Sequence, residues 1–278
     1  MADDLYQRYE TDGFAVARGV FGAAEVAELV AAFDSVWRLG RALPANCRHG
    51  NSYFALGDDP AIGRFPRMVQ WPAYFEPVLA RYRTDPRLLA LVEPLIGRDL
   101  KQIINQMHWK PPGADGTDFG FHQDIRFRRP AAAYREPARS YVQTGIAIDR
   151  HDAATGAMAF VRGSHLKGPI ELDIRGRVMD TAVSEQALTD AGLDPADLVT
   201  PELEPGDVAF WGLNTVHGSG PNRARGRRRI YLNGYVIAAN CDRGEWAFRN
   251  GAPCPLGPPR LVHYEDLYAH PGPFFETP

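Results

Sequence analysis

Hydrophobic spacing along the chain changes period once, near residue 100, and the change separates two kinds of element. Residues 13–20 (GFAVARGV) alternate apolar and polar positions as a half-buried strand does. After them, Val26, Leu29, Val30, Phe33 and Trp37 recur at helical spacing and predict a helix over 21–37. Leu88, Leu89, Val92, Leu95 and Ile96 predict a second helix over 86–96. The polar residues ahead of Gly13 read as a short lead. Beyond residue 100 helical spacing nearly disappears. Short apolar runs at 102–109, 119–124, 141–148, 158–161, 208–211 and 229–237 read as strands. Turn signals divide them, among them 110–113 (KPPG), 204–207 (EPGD) and 218–222 (GSGPN). A helical start followed by many short strands predicts a mainly β fold with flanking helices, an antiparallel sandwich or barrel. With no internal repeat or low-complexity linker, the expectation is one domain over 1–278. It divides into a helix-and-strand part to about residue 100, a β core over about 101–240 and a tail at 241–278. The polar, weakly helical stretch 173–200 reads as an insertion between strands, of the kind that forms lids or binding loops.

Composition acts mainly by exclusion. The chain has 278 residues, of which 45% are apolar and 23% charged, within the range of ordinary globular proteins. Its net charge of −3 offers no electrostatic footprint for nucleic acid or an anionic membrane. No run approaches the roughly 18 apolar residues of a membrane span, and the acidic start does not resemble a signal peptide. Cys47, Cys241 and Cys254 have no CxxC spacing, which argues against a disulfide framework or a cysteine zinc site and for a cytoplasmic setting. Only three lysines occur, at 101, 110 and 167, so arginine supplies almost all the positive charge. An arginine cluster therefore carries little functional weight by itself. The aromatic and Arg-rich stretch 125–135 could form a rim over a site that meets a carboxylate or phosphate, but with arginine so abundant solvated surface is the preferred reading.

The sharpest local feature is FGFHQDIRF at 119–127. On a strand, His122 and Asp124 at i and i+2 share a face. One imidazole and one carboxylate there form two thirds of a facial triad, the arrangement that holds Fe(II) and leaves other positions open. The alternative is a polar pair at a solvent edge. His217, which follows a strand launched by the Pro-Gly-Asp turn at 205–207, supplies the missing imidazole. In the next strand, alternation places Arg228, Ile230 and Leu232 on one face and Arg227, Arg229 and Tyr231 on the other. An arginine inside an apolar barrel needs an anion; a solvated edge is the reading for the other two of the run.

Taken together, these segments resemble the phytanoyl-CoA dioxygenase-like family of Fe(II)- and 2-oxoglutarate-dependent oxygenases. The matching elements are 9–14 (YETDGF), Lys110-Pro-Pro, His122-Gln-Asp124, 156–165 (GAMAFVRGSH), 204–207 (EPGD), 217–222 (HGSGPN) and Arg228, in the family's order over nearly the whole chain. The resemblance implies a double-stranded β-helix, a cupin-like jelly-roll barrel with helices along one side. It makes His122, Asp124 and His217 ligands of Fe(II). It assigns Arg228 to the distal carboxylate of 2-oxoglutarate with Ser219 beside it, and puts His108 and Lys110 near the same pocket. Because one residue of strand slip reverses the faces, a buried histidine satisfied by a neighbour is the alternative for His108. Gln123 and Trp211 stand next to ligand-bearing positions, as pocket residues or as packing.

Implied activity is a dioxygenase that uses O2 and 2-oxoglutarate to hydroxylate a small organic substrate, releasing succinate and CO2. A secondary metabolite or amino-acid-like molecule is the expected substrate, with an acyl-CoA as the alternative. Halogenating relatives lack the carboxylate at the position of Asp124, so its presence favours hydroxylation. Two departures stand out: Arg162 where a proline usually precedes Gly-Ser-His, and Gly145 at a strand position that is often bulkier, which predicts extra room for substrate. His165 belongs to the Gly-Ser-His turn, and His49, His151, His263 and His270 carry no expected role. Competing classes are a non-catalytic jelly-roll binding protein and a zinc hydrolase; the latter has no use for a buried Arg228.

Overall fold

The computed structural model describes residues 2–174, 177–262, 267 and 269–276. Helices α1 (Ala2–Asp12), α2 (Ala23–Arg41), α3 (Pro77–Tyr82) and α4 (Pro86–Ile96) precede most of the strands, and the short α5 (Pro137–Ser140) and α6 (Glu185–Asp190) come later. Strands run in chain order as β1 (Phe14–Ala17), β2 (Cys47–His49), β3 (Ser52–Asp59), β4 (Gly63–Gln70), β5 (Leu100–Lys110), β6 (Phe119–His122), β7 (Tyr141–Ala147) and β8 (Ala159–Val161). They continue as β9 (Leu198–Val199), β10 (Val208–Gly212), β11 (His217–Ser219), β12 (Arg228–Ile237), β13 (Glu245–Arg249), β14 (Ala252–Pro253) and β15 (Phe274–Phe275). The large sheet has the order β1-β10-β7-β12-β5-β4-β3-β2-β15, with β13 joining at β5 and β14 at β13; the small one is β6-β11-β8-β9. Every pairing described is antiparallel.

The two predicted helices form for the reasons their sequences suggest. α2 begins at Gly22, where the Glu25 side chain accepts the Gly22 N–H at 2.8 Å. α4 starts at the Asp85 cap with Pro86 in its first position, and stops at Gly97, whose φ of 74° favours glycine. Their apolar faces pack on the outer side of the large sheet, where Leu29, Phe33, Val36, Leu88 and Val92 meet Met107, Trp109, Val142, Phe210 and Tyr231. Each such fully buried side chain contributes roughly 1.5–3 kcal/mol. The inner face of the sheet carries Ile104, Ala147, Ala209, Trp211, Ile230 and Leu232. β12 is therefore covered on both sides: Tyr231 and Tyr235 point to the helices, Arg228, Ile230 and Leu232 to the interior.

Several expectations are corrected. The polar lead is a helix, α1, because Leu5 and Tyr9, one turn apart, reach the core, and Tyr9 stacks on Phe210 with centroids 5.5 Å apart. Residues 47–70 form three strands the hydrophobic pattern did not reveal, since only part of each is covered. Strand β6 ends at His122, and Asp124 opens a 3-10 turn, Asp124–Phe127, so the i, i+2 argument does not place the carboxylate. Arg229 is 6% exposed and forms a bidentate pair with Asp149 at 2.9 Å instead of a solvated edge. A Cβ at Gly145 would lie 2.7 Å from Ile230 Cδ1 and 3.0 Å from Leu232 Cδ2, so those side chains fill the space that glycine leaves. The tail contributes β13 to the large sheet. In the insertion, Val178 and Met179 form part of the cavity wall, whereas residues 175 and 176 lie outside the described residues.

Candidate active site

β6 and β11 lie side by side in the small sheet with His217 directly opposite His122, and the two imidazole centroids are 4.3 Å apart. Each ring is oriented by its own backbone. His122 Nδ1 meets the Gly120 carbonyl at 2.7 Å and His217 Nδ1 the Thr215 carbonyl at 3.0 Å, so the proton sits on Nδ1 in both. That tautomer leaves both Nε2 lone pairs to face a common point. Burial, with His217 next to it, pushes the His122 pKa down to about 3, so its ring is neutral at physiological pH. Trp211 on β10 donates its indole N–H to Asp124 Oδ2 at 3.3 Å and brings the carboxylate in from its turn. One donor atom each from His122, Asp124 and His217 lie within 4.8 Å of one another.

The three residues line a cavity of about 560 Å³ between the two sheets. Arg228 opens into it from the start of β12. It is 1% exposed, and its Nε and Nη2 are buried without a hydrogen-bond partner. Burial draws its pKa down to about 10, which still leaves it protonated at neutral pH. Ser219 on β11 lines the same cavity. His108 does too, stacked on Phe119 at 4.8 Å with Nε2 at 3.0 Å from Gln106 Oε1; burial and the nearby Arg228 hold it neutral. Lys110 is not among the lining residues. Its ammonium donates to the carbonyls of Ser219 and Gly220 and fixes the turn that carries Ser219. Two imidazoles, one carboxylate and an unpaired guanidinium in an apolar cavity fit a ferrous ion with a keto-dicarboxylate beside it.

Residues 9–230 match the family described as phytanoyl-CoA dioxygenase (PhyH). The chain belongs to this family. A probable alpha-ketoglutarate-dependent hypophosphite dioxygenase of Stutzerimonas stutzeri is 27% identical over 86% of this chain and 79% of its own length. The ectoine dioxygenase of Bordetella parapertussis is 26% identical over 80% and 71% respectively. Among solved structures, the epimerase SnoN in complex with Fe3+, alpha ketoglutarate and nogalamycin RO superposes with a TM-score of 0.62 at 23% identity, covering 93% of this chain and 97% of SnoN, and has the same fold. This PhyH-family chain is an iron- and 2-oxoglutarate-dependent dioxygenase with the jelly-roll architecture that the resemblance implied. No helix among the described residues is long and apolar enough to cross a membrane.

Other sequence-level candidates settle as scaffold. Gln123 donates to the carbonyls of Gly168 and Asn214, at 2.8 and 2.6 Å, and accepts from the Ile170 N–H at 2.7 Å, so it staples loops around the centre. His165 meets the Glu10 carbonyl at 3.0 Å, away from the three-residue cluster. His151 is buried against the Arg229 carbonyl, whereas His49 and His270 are exposed and His263 lies outside the described residues. Residues that sequence reasoning missed include Gln106, Gln143 and Arg128, all lining the cavity. Arg128 lies in the stretch 125–135, and its preferred reading as solvated surface is corrected by its burial at 1% exposure, which abundant arginine kept from standing out in the sequence.

Proposed function

We propose that His122, Asp124 and His217 hold Fe(II), that Arg228 with Ser219 anchors the distal carboxylate of 2-oxoglutarate, and that the enzyme hydroxylates an unactivated C–H of a small organic molecule. The observation that carries this reading is Arg228, a buried cation with orphaned N–H groups facing the same cavity as the three donors. A buried guanidinium without an anion is strongly destabilising, and a bidentate carboxylate removes that penalty. Iron with 2-oxoglutarate and O2 supplies the oxidising power, with succinate and CO2 as by-products.

The chain's own residues set the geometry. Backbone carbonyls of Gly120 and Thr215 hold the two imidazoles in the ligating tautomer, and Trp211 holds Asp124. Lys110 keeps Ser219 in register, while Phe119, Met158, Ile230 and Leu232 exclude water. A small substrate is supported by the cavity of about 560 Å³, which 2-oxoglutarate would share, and by relatives named for hypophosphite and ectoine. Filling of the space at Gly145 by Ile230 and Leu232 speaks against a separate channel for a long acyl chain. Retention of Asp124 supports hydroxylation.

With Fe(II), 2-oxoglutarate and O2 the protein is expected to release succinate slowly even without substrate. His217→Ala should abolish that release, and Arg228→Gln should weaken 2-oxoglutarate binding by roughly 30-fold or more. Under anaerobic conditions, 2-oxoglutarate should produce a weak visible charge-transfer band with Fe(II) and none with Zn(II). Unaltered turnover in both variants overturns the assignment.

A further inference from the structure

Resting on the reading above, we infer the substrate's class: Arg128 is the anchor for a carboxylate carried by the substrate, whose remaining body is apolar. Five arginines among the described residues are buried: Arg67, Arg83, Arg128, Arg228 and Arg229. Arg67 pairs with Asp180, Arg229 with Asp149, and Arg83 bonds Gln102 and the carbonyls of Cys254 and Trp246. In Arg128, 1% exposed, all three guanidinium nitrogens are buried without a hydrogen-bond partner, and the side chain lines the cavity. Its neighbours are phenols. Its guanidinium lies 5.6 Å over the Tyr141 ring, and the Tyr134 hydroxyl, which donates to the Val262 carbonyl, stands close enough to offer it a weak contact but no anion. Burial pushes both phenol pKa values up, so neither supplies a counter-charge at neutral pH.

Arg128 serves a different part of the cavity from Arg228. A Cβ at Gly234 would lie 2.5 Å from both Tyr141 Oη and Gln143 Oε1, so these tips cover Gly234, six residues along β12 from Arg228. At about 3.3 Å per residue that separates the two backbone positions by roughly 20 Å, so the Tyr141 tip beside Arg128 lies well along β12 from Arg228. Gln143 accepts the Tyr141 hydroxyl proton at Oε1 and lines the cavity, which leaves its Nε2 as a second donor beside Tyr141. Arg126 and Arg129, which also line the cavity, are more exposed, and Arg177 is paired with Asp180 at 2.8 Å, so none of them lacks solvent or a partner. A carboxylate matches the planar guanidinium fork with two parallel hydrogen bonds. Between the two ends, Ile104, Phe127, Met158 and Leu232 offer an apolar wall.

The test uses protein loaded with Mn(II) and saturated with 2-oxoglutarate, titrated calorimetrically with 4-phenylbutyrate, indole-3-acetate and octanoate, each against its primary amide. At least one acid is expected to bind about 10-fold or more tightly than its amide, and Arg128→Gln should erase that preference while 2-oxoglutarate affinity stays within about 2-fold. Arg128→Lys, which keeps the charge without the fork, should retain part of it. Without ligand, Arg128→Gln should melt at or above the wild-type temperature, because it removes an unpaired buried charge. Equal affinities for every acid and amide, or no binding of either, overturn the inference. So does a fall in melting temperature of about 4 °C or more, which marks a structural arginine, or a matching loss of 2-oxoglutarate affinity, which marks a co-substrate ligand. Failure of the wild type to bind 2-oxoglutarate would instead sink the metal and co-substrate assignment on which this inference rests.

Discussion

Trp211 shows how much a single side chain does at this centre. Its ring packs against Phe160 and His217, with centroids 5.4 and 5.3 Å away, and its N–H reaches Asp124. Trp211→Phe keeps most of that packing and removes the donor. Metal affinity is expected to fall about 10–100-fold, as for other groups that orient a ligand, with a loss in folding stability below about 1.5 kcal/mol; a metal titration with unchanged affinity contradicts this role. The residue types of the centre were legible because a histidine, a carboxylate and a distant histidine in fixed order are an unusual combination. Arg128 was not. Its burial depends on Tyr141, Tyr134 and the turn Asp124–Phe127, which are separate in sequence and meet only in the folded chain.

Among the elements, the turn that launches β10 is tied to the chain's start. Asp207 is 3% exposed and accepts the Gly19 N–H at 2.8 Å, the Glu204 N–H at 2.9 Å and an Arg18 N–H at 2.7 Å. It thus locks β1 against β10, the strand that carries Trp211. Asp207→Ala is expected to cost about 2–4 kcal/mol, from backbone donors left without their charged acceptor; a change below about 1 kcal/mol in urea unfolding would refute this. The sequence located α4 and most of the core strands well, because their apolar runs are long and bounded by caps or turns. It failed at β2, β3 and β4, where coverage is partial, and at the end of β6, where the Trp211 hydrogen bond and the Ile125 N–H to the Leu213 carbonyl at 3.2 Å bend the chain into a turn.

For the molecule as a whole, buried neutral histidines make stability depend on pH. Burial, reinforced by the nearby Arg228, holds His108 and His151 well below the ordinary histidine range, and His151 Nδ1 is buried without a partner. Below about pH 6.5 the unfolded chain takes up protons at these sites and the folded chain does not, so stability falls as pH falls. Each such histidine adds a slope that approaches roughly 1.4 kcal/mol per pH unit below the unfolded pKa. Metal-free protein should therefore lose several kcal/mol between pH 7.5 and 5, a window above most carboxylate titrations; equal urea midpoints at the two pH values exclude the effect.

From its sequence alone this protein's family, architecture and the three side chains that converge at the cavity could be read, since hydrophobic period and residue order survive without coordinates. Only the tertiary structure decided which arginines are buried, which of them find partners and what fills the gap at Gly145. Those outcomes depend on distances between segments remote in sequence, and burial is a property of the assembled sheets, not of any local pattern.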